Sequence, residues 1–264
     1  MTDIYVHGIG LCAPGMSTWL KGAAILRGDK LYEKTELPEF TLNLLRPNER
    51  RRTTALIKLA LHVAERAMEN CVISADSLGS VFASSEGDIE VVDKICETLT
   101  LPERPVSPTL FHNSVHNAPA GYWAIATCSH LASVSMSTGP GSYAGGLLEA
   151  AGLCAVEQIP TLLVSYDLPA PHSLKQVIPI HETFASALVL GSEANAHSVA
   201  KLQLKLSAAL DQTRLTDTGV EALRLSNPAA HALPLLKAIA CKHPQTVVLP
   251  YMDGQNLSVT CTPC

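Results

Sequence analysis

The run Val134–Gly152, VSMSTGPGSYAGGLLEAAG, has the spacing best suited to chemistry. It reads as an apolar strand, a glycine-rich corner and a helix of small residues. Such a corner can present a nucleophile or cradle a phosphate, because the chain turns sharply and helix N–H groups point outward. A hydrolase nucleophile at Ser142 needs glycine two residues before and two after it. Pro140 and Ala144 stand there instead, so that motif fails. The same residues, Gly139-Pro140-Gly141-Ser142-Tyr143-Ala144, fit the GxGxxA turn of a dinucleotide-binding unit. Asp167 ends the next strand, where a ribose-binding carboxylate would stand. This leaves an NAD(P)-type dinucleotide-binding protein as an alternative, although Gly139 and Asp167 lie far apart for it.

Two further pairs have ligand-like spacing. His112 and His116 sit four residues apart, which suits a metal on a helix, but no Glu follows the first His and Pro119 shortens the helix. Cys261 and Cys264 form one CxxC with no matching second pair, whereas a structural zinc needs four ligands. The expectation is no metal and no bound cofactor.

Alternating elements must position these groups. Apolar and β-branched runs predict strands at 4–10, 79–84, 132–137, 160–166, 184–191 and 199–207. Longer periodic runs predict helices at 17–27, 53–70, 88–99, 116–128 and 142–157. In 53–70, Lys58, His62, Glu65 and Glu69 mark one wet face. Helix 142–157 is apolar almost all round, as a buried helix is. The alternation implies an α/β fold with a mostly parallel sheet covered on both faces. Beyond 207 the pattern thins to a loop at 211–219, a helix at 228–242 and strands near 245–251 and 255–261.

Composition narrows the class. The chain has 264 residues, 47% of them hydrophobic and 16% charged, which suits extensive burial rather than disorder. A net charge of −5 argues against a nucleic-acid partner. The N-terminus has no basic leader and no run is long and apolar enough to span a membrane, so a cytoplasmic protein with its eight cysteines reduced is expected.

A longer window carries a resemblance. Residues 107–140, SPTLFHNSVHNAPAGYWAIATCSHLASVSMSTGP, resemble without a gap the stretch before the active-site cysteine of β-ketoacyl synthases. The matching features are Ser107-Pro108, Asn117, Ala120-Gly121, Ile125, Ser133, Ser135 and Thr138. The family continues Thr-Ala-Cys, whereas this chain continues Thr138-Gly139-Pro140. IYVHGIG, RRTTALIKLALHVAERA, LGSVFASSEGD and FASALVLG resemble further family segments in order, over roughly residues 1–207. The resemblance implies a thiolase-like layered sandwich of five-stranded sheets and helices, in one domain over 1–264. Its first half is complete, its second half (208–264) is truncated, and 142–157 is the buried central helix.

The family's condensing cysteine takes the acyl chain as a thioester, and two histidines of the second half assist. Here Pro140 stands in the cysteine's place, and neither His231 nor His243 has the family's surroundings. The pattern is similar to chain-length factors, most of all the short type of aryl polyene biosynthesis. This implies a non-catalytic subunit that pairs with a catalytic ketoacyl synthase, meets an acyl carrier protein and shapes an acyl tunnel along the shared interface. A homodimeric acyl-binding module is the other alternative.

By this resemblance Ser85, Glu86 and Leu110 are candidates for setting tunnel depth. Phe111, His112, Asn113, His116 and Asn117 are candidates for the dimer seam. The bland readings are a strand-to-helix turn capped by Asp88, and polar side chains that bond local backbone. Arg46, Arg50, Arg51 and Arg52 precede a helix N-terminus, where positive charge is unfavourable. Either carboxylates within the chain pair with them, or an acidic carrier or partner does. Tyr122 and Trp123 cannot share one helix face, so one is expected in the core and the other toward a partner.

Overall fold

The computed structural model describes residues 3–40, 42–208 and 211–264. Along the chain run β1 (Ile4–Cys12), α1 (Trp19–Arg27), α2 (Pro47–Arg50), α3 (Ala55–Met68), β2 (Gly79–Ala83), α4 (Ile89–Leu99), α5 (Pro108–Asn113), α6 (Ala118–Thr127) and β3 (Ser133–Met136). Then follow α7 (Ser142–Val156), β4 (Thr161–Asp167), β5 (Phe184–Gly191), β6 (Ala200–Ala208), α8 (Thr218–Ser226), α9 (Leu233–Cys241), β7 (Gln245–Met252) and β8 (Gln255–Pro263). A 3₁₀ turn at Pro228–Ala232 precedes α9.

Among the described residues eight strands form one sheet in the order β3-β2-β4-β5-β1-β6-β8-β7. It is mixed, not mostly parallel: only β2 pairs in parallel, with β3 and β4, and the other pairings are antiparallel. The reason lies in the connections. Parallel neighbours need a crossover, usually a helix, and no helix separates β4, β5 and β6. The first five strands match the expected five-stranded unit. The remaining three join it through β6, which meets β1 only over Ile4–Val6.

Side chains alternate across the sheet into two cores. Leu163, Phe184, Leu188 and Leu190 face the layer of α1, α7 and α9. Leu162, Val164, Ala185 and Val189 face α3 and α6. As its sequence implied, α7 is largely buried, and it packs against β2, β4, β5 and also β7.

The wet face expected on α3 is partly covered. His62 is buried and stacks on Phe40 with ring centroids 4.5 Å apart, and burial pushes its imidazole down to about 4. Glu65 Oε1 accepts the Leu44 N–H at 2.7 Å. The segment before α2 therefore folds back over α3, a long-range contact that helical periodicity does not reveal.

Candidate functional site at the β3–α7 corner

The corner lies where the sequence placed it, between β3 and α7, at the carboxyl end of the parallel strands β3, β2 and β4. Ligands of open α/β sheets gather at such ends. Gly139 takes φ +56°, and Gly141 lies so close to Tyr251 that an added Cβ would stand 1.8 Å from its carbonyl oxygen. Only glycine fits at 141, because the end of β7 rests on it. Pro140 is exposed and borders a cleft of about 790 Å³, shared with Ser137, Thr138, Gln212, Tyr251 and Asn256.

Three polar side chains at or near the corner are already committed. Ser142 is buried; its hydroxyl donates to the Gly139 carbonyl at 2.7 Å and accepts the Thr138 N–H at 3.0 Å. Those bonds make it a clamp on the turn rather than a nucleophile. His231 Nδ1 donates to the Pro140 carbonyl at 2.8 Å, and burial holds its imidazole below the usual value. Asp167 does not reach toward the glycines as a ribose ligand. It is 1% exposed, and its Oδ1 accepts Ser84 Oγ–H at 2.6 Å and Ser85 N–H at 2.9 Å. Neither arrangement favours the dinucleotide alternative.

The turn after β2 adjoins this corner. Ser137 Oγ donates to the Ser85 carbonyl at 2.7 Å. Gly87 takes φ +67°, and His116 lies 2.9 Å from where its Cβ would be, while His116 Nε2 bonds the Met136 carbonyl at 3.1 Å. Ser85, Glu86 and His116 thus gather beside the corner; Ser85 is buried and Glu86 exposed. Asp88 caps α4 by accepting the Val91 N–H.

The other candidates form a separate, outer surface. α5 ends at Asn113, so His112 and His116 do not share a helix face. Phe111 (67% exposed), Val115 and Ile125 (69% exposed) line an apolar groove of about 500 Å³ with His112, Asn117 and Tyr122. Leu110 is half-buried on α5. Trp123 is buried in the core, while Tyr122 sits edge-on to His112 in the groove. Asn113 joins the basic stretch to this surface: its Nδ2 donates to the Arg52 carbonyl at 2.7 Å. Among the described residues no ion pair involves Arg46, Arg50, Arg51 or Arg52, so the carboxylates expected to pair with them are not there. The capping box of α2 uses Glu49, which accepts the Arg46 backbone N–H.

A buried small-residue helix led in by a tight corner, inside this mixed sheet, defines the thiolase-like ketosynthase fold. Solved structures agree over nearly the whole chain. A chain of the ketosynthase (ApeO) in complex with its chain length factor (ApeC) from Xenorhabdus doucetiae superposes with a TM-score of 0.74 at 21% identity, covering 98% of this chain and 99% of that one. A chain of the ishigamide ketosynthase/chain length factor gives 0.75 at 15% identity, covering 100% and 99%. The AntDE:AntF complex, a type II acyl-carrier protein with its ketosynthase bound to the hexaketide, gives 0.76 at 11% identity, again covering 100% and 99%. Residues 25–248 match the family described as beta-ketoacyl synthase, N-terminal domain, and the chain belongs to that family. No curated protein matches it in sequence. The family match runs past residue 207, where the resemblance in the sequence thinned out.

Sequence reasoning set His231 aside and missed Tyr251. Both reach the corner from the tail across large separations, and neither sits in a recognisable motif. Helix α8 also begins within the loop expected at 211–219 and runs on through residues given no element. Asp217, which accepts the Gly219 and Val220 N–H groups as its cap, was the signal for it.

Proposed function

We propose that this chain is a non-catalytic, chain-length-factor-like partner of a β-ketoacyl synthase. The observation that carries the reading is the corner: Pro140 stands where the sequence match puts the family's cysteine, and the Ser142 hydroxyl and His231 imidazole hold the backbone around it. Pro140 offers no nucleophile and no N–H. A Claisen condensation needs a thioester-forming thiolate, so the chain's contribution is a wall, not a bond-making group.

In this reading the α5–α6 face receives the synthase. Phe111, Val115 and Ile125 form an exposed apolar patch, and His112 and Asn117 line the same groove, an arrangement that favours a protein partner. The turn at Ser85–Glu86, with His116 against it, bounds the acyl chain and limits growth by steric clash. Arg46, Arg50, Arg51 and Arg52 meet an acidic carrier protein. The tail 208–264 serves as a shortened second half of a single domain, which its strands support by joining the same sheet. The product class is a polyene or fatty-acid-type acyl chain, as in aryl polyene synthesis, made by a cytoplasmic heterodimer without a cofactor.

Co-expression with the ketosynthase encoded nearest to this chain tests the reading. A stable one-to-one complex is expected on size exclusion. A homodimer that ignores the synthase would favour an acyl-binding module instead.

A further inference from the structure

The corner does not use the buried carboxyl of Asp167. This residue ends β4 beside the turn after β2, where Oδ1 takes the Ser84 and Ser85 donors described above. The Glu86 backbone amide faces the same carboxyl. Gly87 N–H closes onto Ser84 Oγ at 2.9 Å, so the Asp167 carboxyl holds the turn from inside, while Ser137 holds the Ser85 carbonyl. Oδ2 is buried without a hydrogen-bond partner among the described residues. The backbone of Asp167 binds the tail. Asn227 Nδ2 donates to the Asp167 carbonyl at 3.1 Å and to the Glu182 carbonyl at 2.7 Å. Asn227 Oδ1 accepts the Ala229 N–H and opens the 228–232 turn that carries His231 to Pro140. One residue therefore ties the Ser84–Gly87 turn to the support of the corner.

We infer that Asp167 is a positioning residue, holding the Ser84–Gly87 turn in the shape that sets how far an acyl chain grows. The inference rests on the reading of that turn as the tunnel wall. A group buried this deeply, with one bare oxygen, is also sensitive to its charge. Burial pushes its carboxyl up to about 7, against the pull of the Ser84 and Ser85 donors. The titratable groups around it are Glu86 on the turn, Asp88 at the start of α4, Tyr166 next to it on β4, and Glu182 and His231 through the Asn227 connection. No ion pair among the described residues includes Asp167. On ionising, the carboxylate has to satisfy Oδ2, either by admitting water or by pulling the turn's amides toward it.

The test uses the full chain co-expressed with the ketosynthase encoded nearest to it. Product lengths made from malonyl-loaded carrier protein are read by mass spectrometry between about pH 6 and 8, a window that spans the shifted carboxyl. The wild-type pair should change its product lengths across that window. Asp167→Asn, which keeps the shape and removes the titration, should give a distribution that does not move with pH. Ser84→Ala should broaden the distribution and keep its pH dependence. Identical product lengths in all three proteins at every pH would overturn the inference. Hydrogen exchange of residues 84–87 in the isolated chain gives a second readout that needs no partner. Protection there should vary with pH in the wild type and stay flat in Asp167→Asn; a flat wild-type profile would also overturn it. Failure of the wild-type chain to bind the synthase would count against the partner reading alone, because the exchange result stands independently.

Discussion

The β3–α7 corner and the α5–α6 face lie in the same half of the molecule and have opposite characters. At the corner Ser142 and His231 are spent inward: Ser142 clamps the turn, His231 holds Pro140, and the end of β7 packs on Gly141. On the α5–α6 face apolar side chains are left outward, with Phe111 and Ile125 about two-thirds exposed. Exposed apolar area costs solubility, so a face that keeps it is suited to an interface. The contrast teaches that one ketosynthase fold can close a strand-to-helix corner by internal packing while leaving an apolar surface open to solvent.

The largest expected effect breaks the closed side. Gly141→Ala drives a methyl into the Tyr251 backbone and should destabilise the chain by about 3 kcal/mol or more, read as a lowered urea midpoint. A fall well under about 1 kcal/mol would mean that the corner is not sealed as described. Next, Phe111→Glu on the open side should weaken synthase binding by about 2 kcal/mol, roughly thirtyfold, in a titration. Its own unfolding free energy should stay within about 0.5 kcal/mol of wild type. Equal effects on binding and stability would erase the distinction between the two regions.

A pH titration sharpens the comparison for the buried carboxyl. The folded-state value of Asp167 is raised from 3.8 to about 7. Its stabilising contribution is therefore complete below about pH 4 and is lost as pH rises through about 7. Unfolding free energy should decline across that window in the wild type and decline less in Asp167→Asn, measured by denaturation at several pH values. The smallest effect belongs to the basic stretch. Arg50→Glu combined with Arg52→Glu should weaken carrier-protein binding by about 1 kcal/mol at low salt and hardly at all at high salt. A salt-independent loss would point to packing instead of charge.

Much of the frame was legible before the structure. The strands at 79–84, 160–166 and 184–191 and the buried helix at 142–157 announce themselves by local pattern, and all occur. The placing of Pro140 at a corner between a strand and that helix was likewise readable, and β3 and α7 flank it. Strand direction was not, because alternation of strand and helix suggests parallel pairing and the helix-free run from β4 to β6 overrides it. The burial of His62 and the contacts of His231 and Tyr251 depend on chain segments meeting across long separations, His231 and Pro140 being 91 residues apart. Local periodicity carries no record of such contacts. Asp167 drew notice for the wrong partner: its position at a strand end suggested a ribose, and its carboxyl holds a turn instead.

Incorporation of radiolabelled malonyl units by this chain alone, by the ketosynthase alone and by the two together tests the division of labour most directly. Elongation is expected only from the pair, with none from this chain by itself. Extension by this chain alone, or undiminished synthesis of the same products by the ketosynthase without it, would contradict a non-catalytic wall that the synthase requires.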